Sequence, residues 1–262
     1  MVNQLWHLVR GEGPLVGVAL HDGHTVRDEV GSFLALDEED RRREEDPFTA
    51  EWVTMAPTQV VVLRSRFEVD LNRPRERAVY REPDDAWGLN VWNRAIPEDV
   101  VRRSLAEYDE FYEAMGDLLS SYQERYGHFV VFDIHSYCHR RGGPDAPAAD
   151  EAENPQVNIG TGPVDRIRWG PLIERFMGDL RSYAFPGGPL DVRENVKFRG
   201  GYFSRWVHQT FPESACVLAI EFKKFFMDEW TGGPDRTVID EIRNALASTV
   251  PGVLENLEAQ HR

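Results

Sequence analysis

The sequence predicts a single α/β domain in which a mixed β-sheet is flanked by helices. Two observations carry this. Short apolar, β-branched runs of strand length alternate along the chain with longer segments of helical periodicity, the pattern of a sheet covered by helices. In addition, 262 residues with 41% hydrophobic content can bury one large core, and no internal repeat or flexible linker divides them.

The strand candidates are residues 15–20, 59–63, 129–134 and 215–222, each dense in Val, Ile, Leu, Ala or Phe. The clearest helix is Glu98–Tyr126, where Val101, Leu105, Tyr108, Tyr112, Met115, Leu119 and Tyr122 recur at steps of three or four and form one apolar stripe. Further helices are expected at 47–55, 171–183, 201–211 and 236–257. Two polar, Pro-rich stretches, 140–155 and 186–190, read as long surface loops, which in compact domains are often functional.

Composition excludes several roles. The formal net charge of −15 argues against a nucleic-acid partner. No run is apolar for long enough to span a bilayer, and the first residues lack the apolar core of a secretory signal. Cys138 and Cys216 are too few for a disulfide framework, so a cytoplasmic protein is expected. Lysine occurs only at 197, 223 and 224; an acidic chain that handles an anionic ligand must therefore gather arginine at its site.

Open α/β sheets bind ligands beyond the carboxyl ends of their strands. At those ends stand His21 after Leu20, Arg64 and Arg66 after Leu63, and Asp133 and His135 closing the 129–134 run. Catalytic zinc takes three nitrogen or carboxylate ligands and leaves a fourth position open. His21 and His135 qualify, and the acidic run from Glu38 to Asp46 offers a carboxylate. On these residues alone, a strand-end histidine is more often a hydrogen-bonded structural residue, and an acidic run a solvated helix face.

Read in order, the chain resembles the N-formylglutamate amidohydrolase family. The motifs are His21-Asp22-Gly23, Glu45-Asp46, the run Ser65-Arg66-Phe67-Glu68-Val69-Asp70-Leu71-Asn72-Arg73-Pro74, and Phe132-Asp133-Ile134-His135-Ser136. Asn158-Ile159-Gly160-Thr161, Phe198-Arg199-Gly200-Gly201 and Ala219-Ile220-Glu221-Phe222 follow. Two positions depart from the pattern: Leu20 replaces a proline and Asp22 a small residue.

The resemblance implies a fold like that of zinc exopeptidases, with one Zn2+ per chain held by His21, Asp46 and His135. Glu45 and His24 stand as alternative ligands. It also implies that Glu221 is the catalytic carboxylate, which takes a proton from water during attack and returns it to the leaving amine. A strand-end Glu paired with Lys223 or Lys224 is the competing account of that residue. Arg66, Arg73 and Arg199, with Asn72 and Gly200, are the candidates for binding a small anionic N-acyl amino acid, since a guanidinium fork suits a carboxylate. Each arginine could equally serve a salt bridge, as Arg73 with Asp70. Gly200-Gly201 before a helix could bring backbone N–H groups to an anion, and Asp133 could orient a ligating imidazole. The implied reaction is hydrolysis of an N-formylglutamate-like amide to formate and an amino acid. Another acyl-amino acid or short peptide, or a non-catalytic anion binder, are the alternatives.

Overall fold

The middle of the sheet is built from the runs that cannot be left in water. In the computed structural model, which describes residues 4–260, β2 (Leu15–Ala19), β4 (Phe129–Tyr137) and most of β7 (Ala215–Lys223) are buried on both faces. With β1 (Trp6–Val9), β3 (Thr58–Val62), β5 (Val157–Gly160) and β6 (Val192–Glu194) they form one sheet in the order β1-β3-β2-β4-β7-β5-β6. Strands β3, β2, β4 and β7 run parallel, whereas β1 is antiparallel to β3 and β5 to β7. The sheet is thus mixed, as expected.

Alternation along β4 assigns its two faces. Phe129 and Val131 pack under α4 (Glu98–Tyr126) and α6 (Tyr202–Thr210) with Phe111, Met115, Phe203 and Val207. Val130, Phe132 and Ile134 pack against α5 (Arg166–Ser182) and α7 (Arg236–Gln260) with Phe176, Leu180, Ile242 and Leu246. Short helices α1 (Asp28–Gly31), α2 (Glu38–Glu44) and α3 (Thr49–Trp52) lie between β2 and β3. Among the described residues, no helix is long and apolar enough to cross a membrane.

Several expectations need correction. The helix expected over 47–55 is only α3, continued by a 3-10 turn over Val53–Met55. The helix expected from Pro171 begins at Arg166, because the Asp165 side chain accepts from the amides of Ile167 and Arg168 and caps the first turn. Pro171 sits inside it. The acidic run folds as α2, capped by Asp37, which accepts from Asp40 N at 2.8 Å. Strands β1, β5 and β6 had no predicted counterpart; each is three or four residues long, too short to show a period.

His208 on α6 supplies a pH test of this packing. Its Nε2 accepts from Val217 N of β7 at 3.3 Å, and burial pushes its pKa down to about 4. The neutral ring is therefore preferred in the fold, while the unfolded chain takes up a proton below its ordinary value near 6.5. Its stabilisation is complete above that value and is lost as pH falls toward 4. Urea unfolding of His208→Gln, which keeps an acceptor but does not titrate, should show a flatter decline between pH 6.5 and 4 than wild type, by up to roughly 3 kcal/mol.

Candidate active site

The polar residues of the sheet gather where β2, β4 and β7 end. β2 delivers His21 two residues beyond Ala19, and β4 carries Asp133 and His135 on one face. Parallel pairing of β4 with β7 places Glu221 directly beside His135. Asp46 enters from the loop after α2, where its amide donates to His21 O at 2.8 Å. The turn after His21 can run this close to the end of β3 because Gly23 has no side chain: a Cβ there would lie 2.1 Å from the carbonyl carbon of Leu63.

Three of these side chains converge. His21 Nδ1 and His135 Nδ1 lie 3.3 and 3.0 Å from the same atom, Asp46 Oδ2, and the ring centroids are 5.0 Å apart. Their candidate ligand atoms all fall within 4.8 Å of one another, and all three residues are buried. The opposite ring nitrogens are also engaged, His21 Nε2 with Asp70 at 2.8 Å and His135 Nε2 with Asp133 at 2.9 Å. Ser136 donates to Asp46 Oδ1 at 3.2 Å. Burial alone would raise the Asp46 carboxyl, but hydrogen bonds and charge from both imidazoles outweigh it and hold the group well below the usual carboxylate range. Burial would likewise lower His135, yet the Asp133 and Asp46 carboxylates keep it well above its ordinary value.

The arrangement suits a divalent cation. With each Nε2 hydrogen given to Asp70 or Asp133, both Nδ1 lone pairs face the Asp46 carboxylate, and three acceptors crowd one point. Only protons or a cation between them relieve that repulsion, and carboxylates on the far ring nitrogens are the usual support of metal-binding histidines.

The alternative ligands are placed elsewhere. Glu45 accepts from Ser65 Oγ, and burial pushes it up to about 7 against that bond. His24 is exposed and lines a separate cleft with Asp22. Nor does Glu221 pair with a neighbouring lysine. Lys223 Nζ donates to Asn154 O, and Lys224 Nζ donates to the carbonyls of Arg43 and Glu45. The Glu221 side chain makes no hydrogen bond among the described residues. It is partly buried and opens on the cleft, and burial raises it to about 8, with Asp46 and Asp133 adding and His135 and Arg66 opposing.

The segment 70–73 forms one wall, pinned from α4 by Tyr112 Oη on Leu71 O and Tyr108 Oη on Arg73 O. Arg66 is held by Asp70 at 2.9 Å and by the Tyr80 hydroxyl at 3.1 Å; Arg73 lies 3.8 Å from Asp70. Arg199 also lines the cleft, and its guanidinium makes no hydrogen bond or ion pair among the described residues, although its carbonyl accepts from Gly162 N at 2.7 Å. The expected anion seat at the start of α6 is a correction: Asn72 Oδ1 accepts from Phe203 N and Asn72 O from Tyr202 N, so that end is already occupied. Gly201 is needed for this contact, since a Cβ would fall 2.1 Å from Asn72 Oδ1. Gly200 lines the cleft with φ of 105°. Trp87, Phe198, Arg141 and Lys224 also line it: Phe198 stands inside a matched motif and Arg141 adds positive charge just after Phe132-Asp133-Ile134-His135-Ser136, whereas Trp87 has no counterpart in the sequence analysis.

Comparison with known proteins shows the family and the fold. The family model described as N-formylglutamate amidohydrolase matches residues 13–227. An N-formylglutamate amidohydrolase from Ralstonia eutropha JMP134 superposes with a TM-score of 0.76 over 97% of this chain and 99% of its own, at 15% identity. A gene product from Agrobacterium tumefaciens gives 0.65 over 96% of each chain, also at 15% identity. At these identities the structures show the shared fold. No curated protein matches.

The raised Glu221 carboxyl has a measurable cost. A group held at about 8 in the fold, against 4.5 in the unfolded chain, favours folding most below 4.5, and that contribution is lost as pH rises through 8. In metal-free protein, Glu221→Gln should therefore melt at a higher temperature than wild type at pH 8, with the difference shrinking toward pH 5. A lower melting temperature for the variant across this range would show that the carboxylate is structural.

Proposed function

The chain belongs to the N-formylglutamate amidohydrolase family, and from that premise we propose that it uses one zinc ion to hydrolyse the amide of a small N-acyl amino acid, as in N-formylglutamate. The observation that carries this is a carboxyl that makes no hydrogen bond among the described residues, Glu221, on the strand beside His135 and facing the cleft. A binding protein gains nothing from such a group; a hydrolase requires it.

His21, Asp46 and His135 would hold the metal, and Asp70 and Asp133 would fix the tautomer and tilt of the two rings. A cation there would supply a Lewis acid that polarises the scissile carbonyl and acidifies water. Glu221 takes the proton from the attacking water as the new C–O bond forms. It then gives that proton to the amide nitrogen as the C–N bond breaks, which releases the amine. A carboxyl near 8 before metal binds, lowered by a cation, is poised for both transfers near neutral pH. Arg199, whose guanidinium makes no ion pair among the described residues, binds the substrate carboxylate. Arg66 and Arg73, both tied to Asp70, shape that wall and add positive potential.

Metal content tests the ligand set. His135→Ala should lose stoichiometric zinc and activity while keeping its circular dichroism spectrum, and His24→Ala should keep both; the reverse pattern would require another ligand set. Glu221→Gln tests the base, because glutamine matches its shape but cannot take a proton. The variant should retain zinc while kcat falls about 10²–10⁴-fold. Unchanged kcat in zinc-loaded Glu221→Gln would remove Glu221 from the chemistry.

A further inference from the structure

We propose that the substrate carries one carboxylate and one aromatic or similarly large apolar group, in place of the two carboxylates of an N-acylglutamate. This rests on the hydrolase reading above and narrows it.

The first observation is how the cations of the cleft are already used. Arg66 spends its three nitrogens on Asp70, the Tyr80 hydroxyl and Glu44 O. Arg73 gives Nη2 to Asp85 O, with Nε near Asp70. Arg141 makes a two-pronged pair with Glu44 at 3.0 and 2.7 Å. Lys224 is buried on two main-chain carbonyls. Of the cationic side chains lining the cleft, the Arg199 guanidinium alone has no hydrogen bond or ion pair among the described residues; only its main-chain carbonyl is engaged, accepting from Gly162 N. One open guanidinium matches one carboxylate. A second carboxylate would be desolvated without a cation of its own, which is costly.

The second observation is independent of charge. Among the described residues only five large hydrophobic side chains are exposed, and two of them, Trp87 at 44% and Phe198 at 36%, line this same cleft. Trp87 has φ of 54°, in the left-handed region that a bulky side chain rarely adopts. The preceding 3-10 helix, Pro83–Ala86, is opened by a capping box between Glu82 and Asp85, and Trp87 ends it as the C-cap, its amide donating to Pro83 O. The Arg66 and Arg141 guanidinium groups lie 4.7 and 5.4 Å from the ring centroid. Phe198 is braced edge-on by Tyr137, with centroids 5.5 Å apart. Strained backbone that presents an indole to a cleft is the mark of a contact surface for a ligand.

The aromatic group could be the side chain of the amino acid or part of the acyl group, and substrates separate the two. Zinc-loaded protein would be assayed on N-formyl-L-phenylalanine, N-benzoylglycine and N-formyl-L-glutamate. We expect one of the first two to exceed N-formyl-L-glutamate in kcat/KM by about tenfold or more, the scale on which apolar pockets discriminate; which one wins identifies the source. Trp87→Ala and Phe198→Ala should each reduce that preference ratio at least about fivefold. Calorimetric titration of Glu221→Gln with the same compounds should give the same order of affinity without turnover. Equal or better use of N-formyl-L-glutamate, or a ratio unmoved in both variants, overturns this inference and leaves the hydrolase reading standing. No turnover of any of the three, with zinc bound, defeats the hydrolase reading and this one with it.

Discussion

Four parts of the chain meet on the carboxylate of Asp70. It accepts from His21 Nε2 and Asn72 N through one oxygen, and from Arg66 and the Tyr80 hydroxyl through the other. Asp70, His21 and Tyr80 are buried, and Arg66 and Asn72 are half-buried. Burial would raise the group, but Arg66 and His21 hold it well below the ordinary carboxylate range. A guanidinium as enclosed as Arg66 is tolerable only beside such an anion, because an unpaired buried charge costs several kcal/mol. The residue that neutralises Arg66 is therefore the one that orients His21. The segment after it, pinned by Tyr108 and Tyr112, also caps α6 through Asn72. Metal geometry, cleft wall and helix position share one anchor.

The fold was legible wherever burial imposes a strong period. The four strands with apolar runs and the long helix under them follow from side-chain alternation and a three- to four-residue stripe. Edge strands were not legible: β1 alternates between partial burial and exposure over four residues, which loops also do. The start of α5 is not legible because proline at 171 is a stronger visible signal than a single aspartate cap six residues earlier.

The site was legible in part and for a different reason. His21, Asp46, His135 and Glu221 lie far apart in the chain, and only ordered motifs tie them together; composition could not have. What escaped notice lies outside those motifs. Trp87 sits in an irregular segment, where neither periodicity nor charge marks a residue that reaches a cleft. The status of each arginine was equally hidden, since a guanidinium in sequence looks the same whether it meets Asp70 or open cleft. The three-dimensional pairing separates Arg66 and Arg73 from Arg199.

The register between β4 and β7 has a consequence for how the chain reaches this state. His135 faces Glu221 and Asp133 faces Ala219, all on the same side of the sheet. A slip of one residue would turn that side of β7 over, driving Glu221 into the layer of Phe176 and Leu246 and leaving apolar residues among the carboxylates. Such a pairing would leave an unpaired carboxyl among apolar side chains, which disfavours it against the native register. The polar residues of the cleft thus act during assembly as a proofreading device, rejecting misaligned sheets before any substrate is met.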